Sequence, residues 1–231
     1  MKTLVIFDID GTLVHSNKVD SNCFSQTYLE IYGEEFPSID WRVYPHVTDH
    51  TIFGTVIQEQ FGRKPDQKEI DTFQDHFVKL IEEKRAVAPE EFHEVPGAKL
   101  MIDRMIEDSQ FAIGIATGGW EKPARVKLDF VNINTEPIYK AFADNHVTRE
   151  DIVNTSIRLA KADHKNFKRI VYVGDAIWDV TTTRKMKIPL VGIRIHGDHE
   201  VLKKEGTNVV LSNYNNYERF LEAVEEALPP V

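Results

Sequence analysis

Leu4-Val5-Ile6-Phe7 is an unbroken apolar run, and it ends in Asp8-Ile9-Asp10-Gly11-Thr12. A segment apolar at every position suits a strand buried on both faces. Strands of that kind belong to parallel sheets covered by helices on each side. Two further runs are apolar after their first residue, QFAIGIA at residues 110–116 and RIVYV at 169–173. Burying an unpaired carboxylate costs about several kcal/mol, so two aspartates at the end of a buried strand demand partners.

The stretches between these runs carry helical periodicity. Residues 98–231 alternate: helix over 100–107, strand 110–116, helix 121–131, a short strand at 140–142, and a helix capped by Thr148 to about 162. They continue with strand 169–173, helix 176–186, strand 189–193, strand 208–211 and a last helix over 214–228. Strands alternating with helices of this length imply βαβ units and a mostly parallel sheet. Residues 15–94 break that rhythm. Helices are expected over 20–32, 51–61 and from 67 onward, the first two stopped by Gly33 and Gly62. Asp66 and Glu69 form an N-capping pattern, and Phe73, Phe77 and Leu80 form the apolar stripe of the third helix. The expected architecture is therefore α/β: a doubly wound parallel-sheet, Rossmann-like core from residues 1–14 and 95–231, with an inserted α-helical domain at 15–94.

The bulk numbers narrow the function. The 231 residues carry a net charge of −9 and no long basic run, which argues against nucleic acid or an anionic membrane as a partner. No stretch approaches the ~20 apolar residues of a membrane span. The N-terminus lacks the length and cleavage site of a signal peptide, and a single cysteine, Cys23, excludes an internal disulfide. The chain reads as cytoplasmic, with Cys23 a small buried apolar residue. An acidic protein that takes an anionic substrate must receive it at a local positive site, and a metal ion would serve.

In parallel α/β sheets, ligands bind at the carboxyl ends of the strands. Asp8 to Thr12 follows the first strand, Thr117-Gly118-Gly119 the second, and Gly174-Asp175 the third, with Asp179 four residues later. Carboxylates gathered on one edge repel one another, and a hard divalent cation such as Mg²⁺ resolves that repulsion. Asp8 and Asp10 are two apart, so their side chains start on the same side of the strand. One can attack while the other manages a proton.

FDIDGT, a Thr ending a second strand, and GDAIWD at residues 174–179 resemble the haloacid dehalogenase-like phosphatase superfamily. The resemblance covers residues 1–14 and about 95–215. The helical insert resembles the cap of the phosphoglycolate phosphatase and β-phosphoglucomutase branch. The resemblance implies that Asp8 is the nucleophile that forms an aspartyl-phosphate. Asp10 would protonate the leaving oxygen and then deprotonate water. Mg²⁺ would be held by Asp8, the backbone carbonyl of Asp10, and Asp175, with Asp179 a ligand through water or a support. Thr117 and the Gly118 amide would hold phosphate oxygens. The family places a lysine before the last catalytic strand; Arg149 stands at the matching position, with Lys161, Lys165 and Lys168 as alternatives.

The function implied is a Mg²⁺-dependent phosphatase for a small phosphorylated metabolite, in a monomer or small homo-oligomer. Asp10 argues against dehalogenation. A phosphomutase of the β-phosphoglucomutase type is the near alternative, with Thr12 leaning toward the phosphatase, and a non-catalytic binding protein on the same fold is the distant one. His15 is expected as a loop residue at the cap hinge. Trp178 is expected to shape the site, Trp120 either to shape it or to cover the core, and Asp49 lies in an irregular stretch that could face it.

Overall fold

The computed structural model describes all of residues 1–231. The chain begins with β1 (Lys2–Phe7) and turns sharply into a two-residue strand, β2 (Val14–His15). Three helices follow: α1 (Asn17–Tyr32), α2 (Asp49–Phe61) and α3 (Gln67–Val87). The chain returns through β3 (His93–Glu94), which pairs antiparallel with β2, so a two-stranded ribbon marks where the insert leaves and rejoins the core. Neither ribbon strand is legible in the sequence, since two residues carry no periodicity.

The remainder alternates as expected: α4 (Ala98–Glu107), β4 (Phe111–Ala116), α5 (Glu121–Phe130), β5 (Tyr139–Ala141), α6 (Arg149–Asp163), β6 (Phe167–Gly174), α7 (Ile177–Met186), β7 (Leu190–Ile193), a one-turn α8 (Glu200–Lys203), β8 (Val209–Leu211) and α9 (Tyr217–Glu226). The six long strands form one parallel sheet in the order β5-β4-β1-β6-β7-β8. None of the helices is long and apolar enough to cross a membrane.

Several boundaries shift for local reasons. Helix α1 starts at Asn17 rather than residue 20, and α2 at Asp49 because Thr48 caps it, its Oγ1 accepting from the Thr51 N–H at 3.2 Å. Asp66 caps α3 by accepting from the Glu69 N–H at 2.8 Å. The expected reciprocal bond is not made; Glu69 instead takes Arg63 and the Tyr32 hydroxyl.

Side chains on β1 alternate between two cores. Val5 and Phe7 face one, with Val171, Val173 and Phe220. Leu4 and Ile6 face the other, which runs without a break into the insert through Phe24, Phe53, Phe73 and Phe77. Trp120 is the joint: fully buried, its ring lies 5.9 Å from Phe24, nearly parallel, and 5.8 Å from both Phe53 and Phe73. Of the two readings of Trp120, the structure supports core. The insert thus shares its apolar interior with one face of the sheet.

Candidate active site

β1 lies between β4 and β6, and Phe7 is level with Ile115 on one side and Val173 on the other. This register brings Asp8, Thr117 and Asp175 to a common edge. Strand order reverses there, so the flanking connections diverge and leave a crevice. The chain must then turn away at once. Thr12, Leu13 and Val14 all donate backbone N–H groups to the Ile9 carbonyl, and Gly11 takes φ +73°. A Cβ on Gly11 would collide with the Asp175 carboxylate and would lie 2.7 Å from Asn17 Nδ2, so only glycine fits this turn.

Asp8 is buried. Its Oδ1 accepts from the Ile9 N–H at 2.8 Å and its Oδ2 from Arg149 Nη2 at 2.9 Å. The same Nη2 donates to Asp179 Oδ1 at 2.7 Å and to the Tyr172 hydroxyl at 3.2 Å, and that hydroxyl donates to the Ala116 carbonyl at 2.8 Å. Burial works against charge on Arg149, but Asp8 and Asp179 outweigh it and hold the guanidinium above its ordinary range. Asp179 is fully buried, and its other oxygen accepts from the Ala176 N–H at 3.0 Å, capping its own helix. Burial raises the Asp179 carboxyl, with Arg149 opposing. Lys161, Lys165 and Lys168 are all exposed, and Lys168 pairs with Glu225. Arg149 is the one of the four at this edge.

Carboxylate oxygens of Asp8, Asp175 and Asp179 lie within 4.8 Å of one another. Burial raises Asp175 well above the usual carboxylate range, and the charges of Asp179 and Asp8 raise it further; the Asn17 amide, donating at 3.1 Å, opposes this. An all-oxygen, buried, mutually repelling set fits a hard divalent cation. The Asp10 carboxylate is not part of this group. It turns instead to Lys127, whose Nζ lies 2.7 Å from Oδ1 and 2.6 Å from Oδ2, and to the Ser16 hydroxyl at 2.5 Å.

These groups face a cavity of about 460 Å³ between the sheet edge and the insert. From the core come Asp8, Asp10, Thr117, Gly118, Arg149, Asp175 and Trp178; from the insert come Asn17, Lys18, Asp20, Trp41 and Asp49, among others. Asp49 opens α2 and docks on the loop after β4. Its N–H donates to the Gly118 carbonyl at 2.8 Å, and its Oδ2 accepts from the Trp120 N–H at 3.0 Å. Burial pushes its carboxyl up to about 8, with the Asp20 charge adding to this. Gly118 allows the approach, since a Cβ there would sit 2.6 Å from the Val47 carbonyl. His15 lies in the ribbon and packs against His93 and His196, away from the cavity. The Thr12 hydroxyl is buried without a partner and lines no part of the cavity, so it makes no direct choice between acceptors.

The arrangement places a carboxylate held ready at a strand tip, a buried cation beside it, a turn of amides opposite, and a second carboxylate two residues on. The family profile of haloacid dehalogenase-like hydrolases matches residues 5–193, which include all of these groups. The chain belongs to that family. This haloacid dehalogenase-like hydrolase is similar in fold to a hydrolase from Pseudomonas syringae (18% identity, TM-score 0.72, covering 96% of this chain and 99% of that one). It is also similar to CbbY from Rhodobacter sphaeroides in complex with phosphate (15%, 0.68, 97% and 100%). A mutant of the same CbbY was solved in complex with xylulose-(1,5)-bisphosphate (14%, 0.67, 93% and 95%). No curated protein sequence matches the chain.

Sequence reasoning did not reach Lys127, Tyr172, Asn17 or Asp20. For Lys127 a signal existed: it falls on the buried face of α5 beside Pro123, Ala124 and Leu128, where a lysine is out of place unless paired.

Proposed function

We propose that this haloacid dehalogenase-like hydrolase is a divalent-cation-dependent phosphatase for a small phosphorylated metabolite, acting through Asp8. The observation that carries this reading is the pairing of Asp8 with Arg149 at the switch point of the sheet, opposite Thr117 and Gly118. A carboxylate oxygen of Asp8 is the attacking atom. It bonds to phosphorus while the ester oxygen departs, and Asp10 supplies the proton to that oxygen. Asp10 then takes a proton from the water that cleaves the aspartyl-phosphate. Arg149, with its guanidinium held in one orientation by Asp179 and Tyr172, balances the charge of the phosphoryl oxygens, and the Thr117 hydroxyl and Gly118 amide hold them in place.

The residues fit Mg²⁺, with Asp8, Asp175 and the Asp10 carbonyl as ligands and Asp179 as a ligand through water or a support; the ion would supply positive charge against the phosphate. The size of the cavity supports a small substrate. Residues 15–94 act as the cap that excludes bulk water.

A mutase must hold a second phosphate away from the reacting one. The insert's wall of the cavity carries one cation, Lys18, which favours a single phosphate and hence water as the acceptor. Phosphate release from a panel of phosphorylated sugars, phosphoglycolate, nucleotides and p-nitrophenyl phosphate, each with Mg²⁺ and with EDTA, tests the reading. Release that depends on Mg²⁺ is expected, and Asp8→Asn should lower it by about a thousandfold or more with the fold retained. A normal rate in that variant would sink the mechanism.

A further inference from the structure

Each of the two active-site aspartates has its own buried cation, and the second cation lies outside the family motifs identified in the sequence. Arg149 on α6 serves Asp8. Lys127 on α5 serves Asp10, and its side chain is only 2% exposed. The three N–H bonds of an ammonium are matched here by three acceptors: both oxygens of Asp10, and Asp20 Oδ1 at 2.7 Å. Asp20 belongs to α1, the first helix of the insert, and lines the cavity beside Asp10.

We propose that Lys127 is the positioning residue for Asp10, and that through Asp20 it makes the orientation of that carboxylate depend on the insert being seated on the core. This rests on the phosphatase reading. Each carboxylate oxygen offers two lone pairs. On Asp10, Oδ1 uses both, for Lys127 and Ser16, while Oδ2 uses one for Lys127. The remaining lone pair is on Oδ2, and it is the site that takes the proton from the attacking water and holds it until the leaving oxygen of the next turnover needs it. Lys127 keeps its own protons throughout. A carboxylate held by one hydroxyl alone could rotate about χ2; clamped by Lys127 through both oxygens, it cannot.

The test uses Lys127→Met, Lys127→Arg and Asp20→Asn in the full chain, assayed with Mg²⁺ on two probes. β-Glycerol phosphate expels an alkoxide, which needs a proton; p-nitrophenyl phosphate expels a phenolate, which does not. The value of kcat/KM reports the steps through loss of the leaving group. Lys127→Met should lower it about a hundredfold on β-glycerol phosphate, the scale of a catalytic group displaced by ~1 Å, and less than about tenfold on p-nitrophenyl phosphate. Adding Lys127→Met to Asp10→Asn should cost little more, because the lysine acts through that carboxylate. Lys127→Arg should recover part of the loss, and Asp20→Asn should show the same pattern more weakly.

Equal losses on both probes, or full additivity with Asp10→Asn, would reduce Lys127 to a structural role and overturn the proposal. If Lys127→Met does not fold, the Asp20→Asn and Lys127→Arg pattern decides by the same criterion. If the unaltered protein releases phosphate from neither probe, nor from any member of the wider panel, the phosphatase reading fails. The crystal structure of Lys127→Met then decides the positioning claim separately: a rotated Asp10 carboxylate supports it, an unmoved one refutes it.

Discussion

At the scale of single residues, the site is a set of buried acidic groups, most of them paired with a cation, with two exceptions: Asp175 at the sheet edge, which has the Asn17 amide, and Asp49 on the insert's wall. Asp8 and Asp179 share Arg149; Asp10 and Asp20 share Lys127; Asp49 has a backbone N–H and no cation. A buried carboxyl raised to about 8 binds its proton more tightly in the folded than in the unfolded chain. Its contribution is therefore full at low pH and is lost as pH rises from about 4 toward 8. Asp49→Asn should remove that loss, so the variant should gain stability relative to the parent as pH is raised from 5 to 8, measured by urea unfolding at each pH. A parent and variant with parallel pH profiles would contradict the burial of this carboxyl. The opposite sign applies to cutting a pair. Arg149→Ala leaves Asp8 and Asp179 with no cation between them, a loss on the order of 3–5 kcal/mol at neutral pH, whereas Arg149→Lys keeps the charge and should cost clearly less.

At the scale of elements, the insert is held to the core by specific points as well as by apolar area. The Val147 carbonyl, just before α6, accepts from the Thr48 and Thr51 hydroxyls at 3.3 and 2.8 Å, so the cap residue of α2 also joins the two parts. Trp120, leading into α5, fills the space between Phe24, Phe53 and Phe73. Trp120→Ala should cost about 3–5 kcal/mol, as for any large buried aromatic, and should loosen α1, α2 and α3 together. Hydrogen exchange of those helices relative to β1 and β6 reads this directly; equal protection in both proteins would show that the tryptophan is not the joint. The β2–β3 ribbon is held otherwise. There His15 faces His93 and His196, and burial followed by those two neighbours lowers its pKa. Its stabilising effect is present above about pH 6.5 and is lost on acidification, which places an acid-sensitive point at the hinge.

For the whole molecule, the sheet edge gathers more negative charge than the protein's cations there neutralise. Mg²⁺ should therefore raise the melting temperature with no substrate present, because a ligand bound only by the folded state stabilises it, by roughly 2.7 kcal/mol at a hundred times its dissociation constant. Asp175→Asn should abolish most of that rise while melting at or above the temperature of the cation-free parent, since it removes a carboxyl that burial and two neighbouring carboxylates destabilise. A melting temperature indifferent to Mg²⁺ would refute cation binding at this edge without reference to any activity.

The sequence by itself determined the strands and their ends. Short, nearly continuous apolar runs bounded by turn residues and alternating with helical stretches suit buried strands, so the parallel sheet was legible, and with it the meeting of Asp8, Thr117 and Asp175. Arg149 was reached only through the family resemblance, as the residue at the position of the family's lysine, with Lys161, Lys165 and Lys168 as alternatives. What the tertiary structure alone decided were the pairings across the chain. Lys127 and Asp10 are 117 residues apart and Asp49 and Trp120 are 71 apart, and no periodicity links such positions. Trp120 had two readings in the sequence because a tryptophan in the loop that follows a buried strand can face the cavity or the core. The packing of three phenylalanines from a separate stretch of chain settled which. Local pattern records which face of an element is buried; it does not record what that face is buried against.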